Sequence, residues 1–250
     1  MDVNSLPWYY GTKPEGLQET VTLSGDEWHH CHHVLRMSQG EHLVLFNGHG
    51  WCMEGRIMET SKHQGVIALL HDLAPLYVSP RKYSITLAFA PTKNIDRTEF
   101  ALEKLVELGV DHICFLDCEH SERTHLRMDR MEKIILSAAK QSRKIMLPDL
   151  EGPVQPVDYI RHQRSSDPDT LLLFGHLDET SNPLVQNYKP GSDVVVLIGP
   201  EGGFSQTETT LMKAEGATAV TLGPHRLRVE TAVIATCTAI HILNEQTPRS

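Results

Sequence analysis

Two glycine-proline turns near the carboxyl end carry the residue types best able to hold a small molecule. The first is Gly199-Pro200-Glu201-Gly202-Gly203-Phe204-Ser205, directly after the apolar run Val194 to Ile198. The second is Gly223-Pro224-His225-Arg226-Leu227-Arg228-Val229-Glu230-Thr231, after Ala217 to Leu222. Glycines at the carboxyl ends of buried strands let backbone amides approach a ligand, and open α/β sheets bind their ligands there. Two such turns in consecutive units imply one shared pocket. Three common sites do not match it. A P-loop needs a lysine that Gly199 to Ser205 lacks, a dinucleotide fingerprint needs G-x-G-x-x-G opening a helix, and a nucleophile elbow needs G-x-S-x-G.

The elements that must position these turns alternate β and α. Short apolar runs predict strands at Ser84–Ala90, Val110–Leu116, Thr170–Phe174, Asp193–Ile198 and Ala217–Leu222. Between them, Asp96 can cap a helix that ends before Gly109. Asp129, with Glu132, opens a helix carrying Met131, Ile134, Ile135, Ala138 and Ala139 at helical spacing. Ser205 with Glu208 has capping-box spacing, and a terminal helix covers about Glu230 to Asn244. Repeated βα units imply a parallel sheet with crossover helices. Residues 1 to about 72 differ: strand-like runs at Glu41–Phe46 and Gly65–Leu70, broken by Asn47-Gly48-His49-Gly50, favour a small β-rich barrel. It carries one helix over Asp26 to Met37, with Ser24 and Glu27 at capping-box spacing. Pro75 and Pro80 mark a linker, 73–82, before a second domain at 83–250.

The formal net charge of −9 over 250 residues excludes a protein coated in positive charge, though not one with a local basic face. Arg123, Arg127, Arg130, Lys133, Lys140, Arg143 and Lys144 lie in one such stretch, which taken alone reads as a solvated helix face. No apolar run approaches the roughly 18 residues that span a bilayer, and Met1 to Ser5 lack a signal-peptide pattern. The expected location is the cytoplasm. Five cysteines, an odd number set mostly in apolar patterns, read as buried free thiols, and Cys114 and Cys118 lack the second ligand pair of a zinc site.

The sequence around both turns resembles the SPOUT class of S-adenosylmethionine-dependent RNA methyltransferases, and within it the 16S ribosomal RNA uridine-N3 methyltransferases. The resemblance rests on Ile198 to Ser205 with Glu208, and on Leu222 to Ala232. It extends to Lys93, to Glu103-Lys104 with Glu107-Leu108-Gly109-Val110, to Ser121-Glu122-Arg123, and to Ala138-Ala139-Lys140-Gln141-Ser142-Arg143 with Pro148. In the first domain it takes in His29-His30, Val34-Leu35-Arg36, Gly40 and Asn47-Gly48. Leu6 to Gly11 lack the arginine that many relatives carry there. The resemblance implies a PUA-like β-barrel followed by an α/β trefoil-knot domain, a homodimer, and a substrate of 16S ribosomal RNA within the small subunit. It implies no metal and no membrane association.

On that resemblance, S-adenosylmethionine would be held around Leu172, Phe174, Gly175, Ile198, Gly199, Pro200, Glu201, Gly203, Leu222, Gly223 and Leu227. Uridine N3 is a weakly acidic imide, and each unit by which its acidity is raised corresponds to about 1.4 kcal/mol. Arg228 is the candidate cation beside the uracil carbonyls. Glu201 or Glu230 could accept the proton, although Glu230 could equally favour a helix N-terminus and Glu201 brace its loop. Arg36, Lys93, Arg97, Arg123, Gln141 and Arg143 are candidate RNA contacts, with surface ion pairing as the rival role. His29 and His33 invite a metal reading, but no third ligand has the characteristic spacing, so packing or an RNA-facing role is favoured. A non-catalytic RNA-binding assembly factor, or a methyltransferase for another base, would use the same pocket.

Overall fold

The computed structural model describes residues 3–16, 18–78, 81–177 and 181–246. Its chain divides into two compact units, 1–80 with 136–147, and 81–135 with 148–250. Of the expected linker, Pro80 lies outside the described residues, and Pro75 sits in a short helix, Ala74–Tyr77.

The first unit contains the strands Trp8–Tyr10 (β1), Thr20–Ser24 (β2), His42–Phe46 (β3), Cys52–Thr60 (β4) and Gln64–Asp72 (β5). Its helices are Gly25–Trp28 (α1) and Ala74–Tyr77 (α2). The strands form one mixed sheet in the order β1-β3-β4-β5-β2, with β1 parallel to β3 and the other pairs antiparallel. Tyr9, Leu23, Trp28, Leu43, Leu45, Ile57 and Ile67 pack its core. The helix expected over Asp26 to Met37 is corrected. It is α1 continued by one widened π-type segment, His29–Val34. The Ser24–Glu27 capping box does not form, because the Glu27 carboxylate accepts from the Tyr10 amide at 3.1 Å and pairs with Lys140.

The second unit opens with Ile85–Phe89 (β6), Ile95–Leu108 (α3) and His112–Leu116 (β7). The helix Met128–Ser142 (α4) follows, and its residues from 136 onward are counted with the first unit. Asp149–Val154 (β8), Pro156–Ser166 (α5), Leu171–Gly175 (β9), Asn182–Pro183 (β10) and Leu184–Asn187 (α6) come next. Val194–Ile198 (β11), Gln206–Ala214 (α7), Thr218–Thr221 (β12) and Val229–Glu245 (α8) complete the chain. All seven strands are parallel, in the order β10-β12-β9-β11-β6-β7-β8.

Both faces of this sheet are buried, which is why its strands are continuous apolar runs rather than alternating ones. Val194, Val196 and Ile198 enter one core with Leu102, Leu105 and Val233, while Val195 and Leu197 enter the other with Tyr159, Ile160 and Met212. At the end of α3, Gly109 has φ 78°, where the Gly109 and Val110 amides donate to Val106 and Leu105. This is the glycine-terminated helix end expected from the sequence. The start of α3 is corrected: Asn94, not Asp96, is the cap, and its side chain accepts from the Asp96 amide. The fourth helix begins one residue before Asp129, whose carboxylate pairs with Arg127 at 2.8 Å.

All five cysteines are buried, and none is joined in a disulfide among the described residues. Burial pushes the Cys31 thiol up to about 11 and the Cys52 thiol to about 12, and raises Cys114 and Cys118 further. No helix among the described residues is long and apolar enough to cross a membrane.

Candidate functional site

The carboxyl ends of the adjacent strands β12, β9 and β11 open into one cavity of about 440 Å³, a size typical of small-molecule sites. Both glycine-proline turns form its walls. The first follows β11 and is fastened to the protein at many points. Ser205 and Glu208 form a reciprocal capping box at the start of α7, at 3.1 and 2.7 Å. A second Glu208 oxygen accepts from the Glu119 amide at 2.9 Å, and His120 Nδ1 lies 3.1 Å from the Gly203 carbonyl. The Lys93 amide donates to Glu201 Oε1 at 3.2 Å, and Arg226 donates to the Glu201 carbonyl.

Residues 118–123 therefore act as a brace. Glu122 holds the Lys93 ammonium at 2.6 Å and keeps its proton bound above the usual lysine range. Arg123 donates to the carbonyls of Thr92 at 3.3 Å and Lys93 at 2.9 Å. The second turn is looser: Gly223, Pro224, His225 and Arg226 are exposed. The Gly223, His225 and Leu227 amides have no acceptor among the described residues, which leaves them open to a ligand or water.

Of the expected donor-pocket residues, Gly175, Ile198, Gly199, Pro200, Glu201, Gly203, Leu222, Gly223 and Leu227 line the cavity, together with Arg228. Leu172 and Phe174 are β9 residues packed into the buried core, and both are absent from the wall, to which β9 contributes only Gly175. Glu230 is only 8% exposed and lies outside the lining, while Glu201 is part of it. Arg97, expected among RNA contacts, also lines the cavity. It joins Lys93, Asn94, Glu122 and Glu201 around an adjoining polar hollow. Arg36, Gln141 and Arg143 belong to the first unit. Arg36 and Arg143 both have left-handed backbones, at φ 56° and 57°.

The sequence reading missed His176, Leu177 and Thr221 as wall residues, although each lies at or just past the end of a predicted strand; His225 and Arg226, within the second glycine-proline turn, also form the wall. His120 was also missed, since its role depends on a contact with Gly203 that no local pattern signals. In the first unit, the His29 and His33 rings lie 5.1 Å apart, and Trp28 stacks on His32 at 5.0 Å.

The cavity suits a nucleoside-bearing donor. Ile198, Val220, Leu222 and Leu227 offer apolar walls, and open amides alternate with them. Gly203 and Gly223 both line it with positive φ, 77° and 110°, and a Cβ added at either would meet no atom within 4 Å. At Gly199, in contrast, an added Cβ would press on Phe204 at 3.1 Å.

The family model described as an RNA methyltransferase domain matches residues 79–241. Ribosomal RNA small subunit methyltransferase E of Buchnera aphidicola subsp. Schizaphis graminum is 29% identical over 233 residues, covering 90% of this chain and 92% of its own. A crystal structure of ribosomal RNA small subunit methyltransferase E from Neisseria gonorrhoeae, bound to S-adenosyl methionine, is 29% identical. It covers 95% of this chain and 98% of its own, with a TM-score of 0.82. A Porphyromonas gingivalis protein described as a probable rRNA-methyltransferase is 34% identical, covering 96% and 99%, with a TM-score of 0.85.

Proposed function

This chain belongs to the RNA methyltransferase family whose domain spans residues 79–241, and from that premise we propose that it methylates small-subunit ribosomal RNA with S-adenosylmethionine. The acceptor in this reading is N3 of a uridine in 16S RNA. The observation that carries it is the single cavity enclosed by both glycine-proline turns, adjoining a polar hollow that shares Arg97 and Glu201 with it. Bound there, S-adenosylmethionine supplies an electrophilic methyl group on its sulfonium. Gly175, Gly199, Gly203, Leu222, Gly223 and Leu227 hold its adenosine and methionyl parts through backbone groups and apolar packing.

Arg228, exposed at the cavity wall, places positive charge near the acceptor. Glu201 is the carboxylate better placed to take the imide proton, because it lines both the cavity and the hollow. Alignment of acceptor and donor supplies further acceleration. Lys93, Arg97 and Arg123, with Arg36, Gln141 and Arg143 of the first unit, are the proposed RNA contacts. Each single-strand phosphate neutralised would add about −0.7 to the logarithmic salt slope of binding.

Finer architecture follows the same reading. The mixed sheet of the first unit supports a PUA-like barrel. A trefoil knot is supported by the path after β12, which lies beyond β9, to α8, which packs against α3, β6 and β11. A homodimer working in the cytoplasm on assembled subunits completes the proposal. The test supplies radiolabelled donor and small subunits from cells lacking the enzyme, then maps the modified nucleotide. Labelled N3-methyluridine is the expected product. Label on another base would move the acceptor, and donor binding without transfer would favour the assembly-factor role.

A further inference from the structure

Arg97 stands where the donor cavity meets the polar hollow and lines both. Its backbone is firmly set in the first turn of α3. The Arg97 amide donates to the Asn94 carbonyl at 3.1 Å, and the Thr92 amide donates to Thr98 Oγ1 at 2.9 Å. Its guanidinium is less committed. Lys93 is engaged by Glu122 and Arg123 by two carbonyls, whereas Arg97 Nε lies 3.7 Å from Glu230 Oε1, beyond hydrogen-bonding distance. The Arg97 guanidinium has no hydrogen-bond acceptor among the described residues.

Beneath it, Glu230 is the second residue of α8, where the helix N-terminus favours a carboxylate. Its Oε2 is buried with no hydrogen-bond partner among the described residues. A buried, under-satisfied carboxylate next to a half-free guanidinium at a cavity edge is a costly arrangement, and one that a bound group can complete.

The geometry points to Arg97 as a catalytic residue that contacts the acceptor base, with Glu230 as the positioning residue that aims it. This assignment rests on the methyltransferase reading. In that reaction the N–H bond of the imide breaks and its electron pair forms the new N–C bond. The S–C bond breaks with its pair left on sulfur, and the proton passes to the Glu201 carboxylate, which lines both spaces, and from there to water. Negative charge gathers on the two carbonyl oxygens flanking the nitrogen, and the guanidinium donates to one of them, leaving the edge at the nitrogen open to the methyl. Glu230, nearly sealed and facing a cation, is poorly placed to carry the proton away, so its part is orientation.

The test uses Arg97→Ala, Arg97→Lys, Glu230→Gln and the double variant Arg97→Ala/Glu230→Gln in the full-length protein. Turnover is measured on small subunits across pH, and donor affinity by calorimetry. Arg97→Ala is expected to lower kcat about 100-fold, the scale of removing one oxyanion donor. Its donor Kd stays within about three-fold, and the rising limb of its pH–rate profile moves to higher pH. Arg97→Lys recovers part of the loss. Glu230→Gln costs roughly ten-fold and keeps the wild-type pH profile, and the double variant is no worse than Arg97→Ala. Wild-type turnover in Arg97→Ala, or equal losses in donor affinity and kcat, overturns the assignment. So does a Glu230→Gln variant that alone loses the rising limb. Wild-type protein that binds donor yet methylates no ribosomal substrate removes the premise itself, a result read before any variant is made.

Discussion

Two carboxylates in this molecule are equally buried, Glu54 in the first unit and Glu230 in the second, each 8% exposed. Their surroundings are opposite. Glu54 accepts from His42 Nδ1 at 2.7 Å and from His71 Nδ1 at 3.0 Å, so both its oxygens are satisfied. Glu230 faces one guanidinium at 3.7 Å and has an oxygen with no partner among the described residues. Buried polar groups cost free energy unless paired, so the fold spends pairing on Glu54 and withholds it at the edge of a cavity. The contrast separates a region built to be closed from one built to be completed by something else.

Substitutions should divide along the same line, with ligand affinity moving in the open region and stability in the closed one. The largest effect is expected from Gly203→Val, which puts a β-branched side chain at φ 77° on the cavity wall. Donor binding should weaken about 100-fold, or about 2.7 kcal/mol, when titrated calorimetrically. Unchanged affinity would remove Gly203 from the donor site. Next comes Glu54→Ala, which leaves two histidines without their acceptor. Chemical denaturation should show a loss of about 2 kcal/mol with donor affinity unaltered. A loss of donor binding there would erase the division between the two regions.

Ser205→Ala should cost about 1 kcal/mol by removing the cap of α7, and should lower Tm by a few degrees in a thermal scan. The smallest effect concerns acid. Burial alone would raise the Glu54 carboxyl, but hydrogen bonds from His42 and His71 outweigh it and hold it below its ordinary value of 4.5. The unfolded chain therefore binds the proton more readily, and this contribution is complete above pH 4.5. It disappears as pH falls through the lower folded value. Glu54→Gln should flatten that part of the stability curve, and an unchanged acid limb would assign the pH dependence to other groups.

The second unit was legible in the sequence where physics is local. Strands such as Val194–Ile198 are buried on both faces and so read as unbroken apolar runs. The Ser205–Glu208 box formed because one Glu208 oxygen stays on the Ser205 amide while the other takes the Glu119 amide. The same spacing failed at Ser24 and Glu27, where Tyr10 and Lys140 compete for the carboxylate. The strand Cys52–Thr60 was missed because Gly55 reads as a turn residue. In the structure Gly55 is a packing position, where an added Cβ would sit 2.6 Å from Ile67. Asp149–Val154 was missed for its mixed edge-strand pattern, and Pro156–Ser166 for its polar face, although Pro156 at the first helical turn was a usable signal.

The site followed the same rule. Both turns announced themselves by composition, and most residues lining the cavity lie within them. The pairing of Arg97 with Glu230 spans the packing of α3 against α8, and no sequence spacing carries it.

The five buried thiols have a practical corollary. A thiol must ionise to react, and burial holds Cys31 near 11 and Cys52 near 12, with Cys114 and Cys118 higher still. Alkylating reagents at neutral pH should therefore pass over the native cysteines while the protein stays folded. One cysteine introduced on the exposed turn, for instance at His225, would take a single fluorophore without the usual prior removal of the others. The chain is in this sense ready for spectroscopy as it stands.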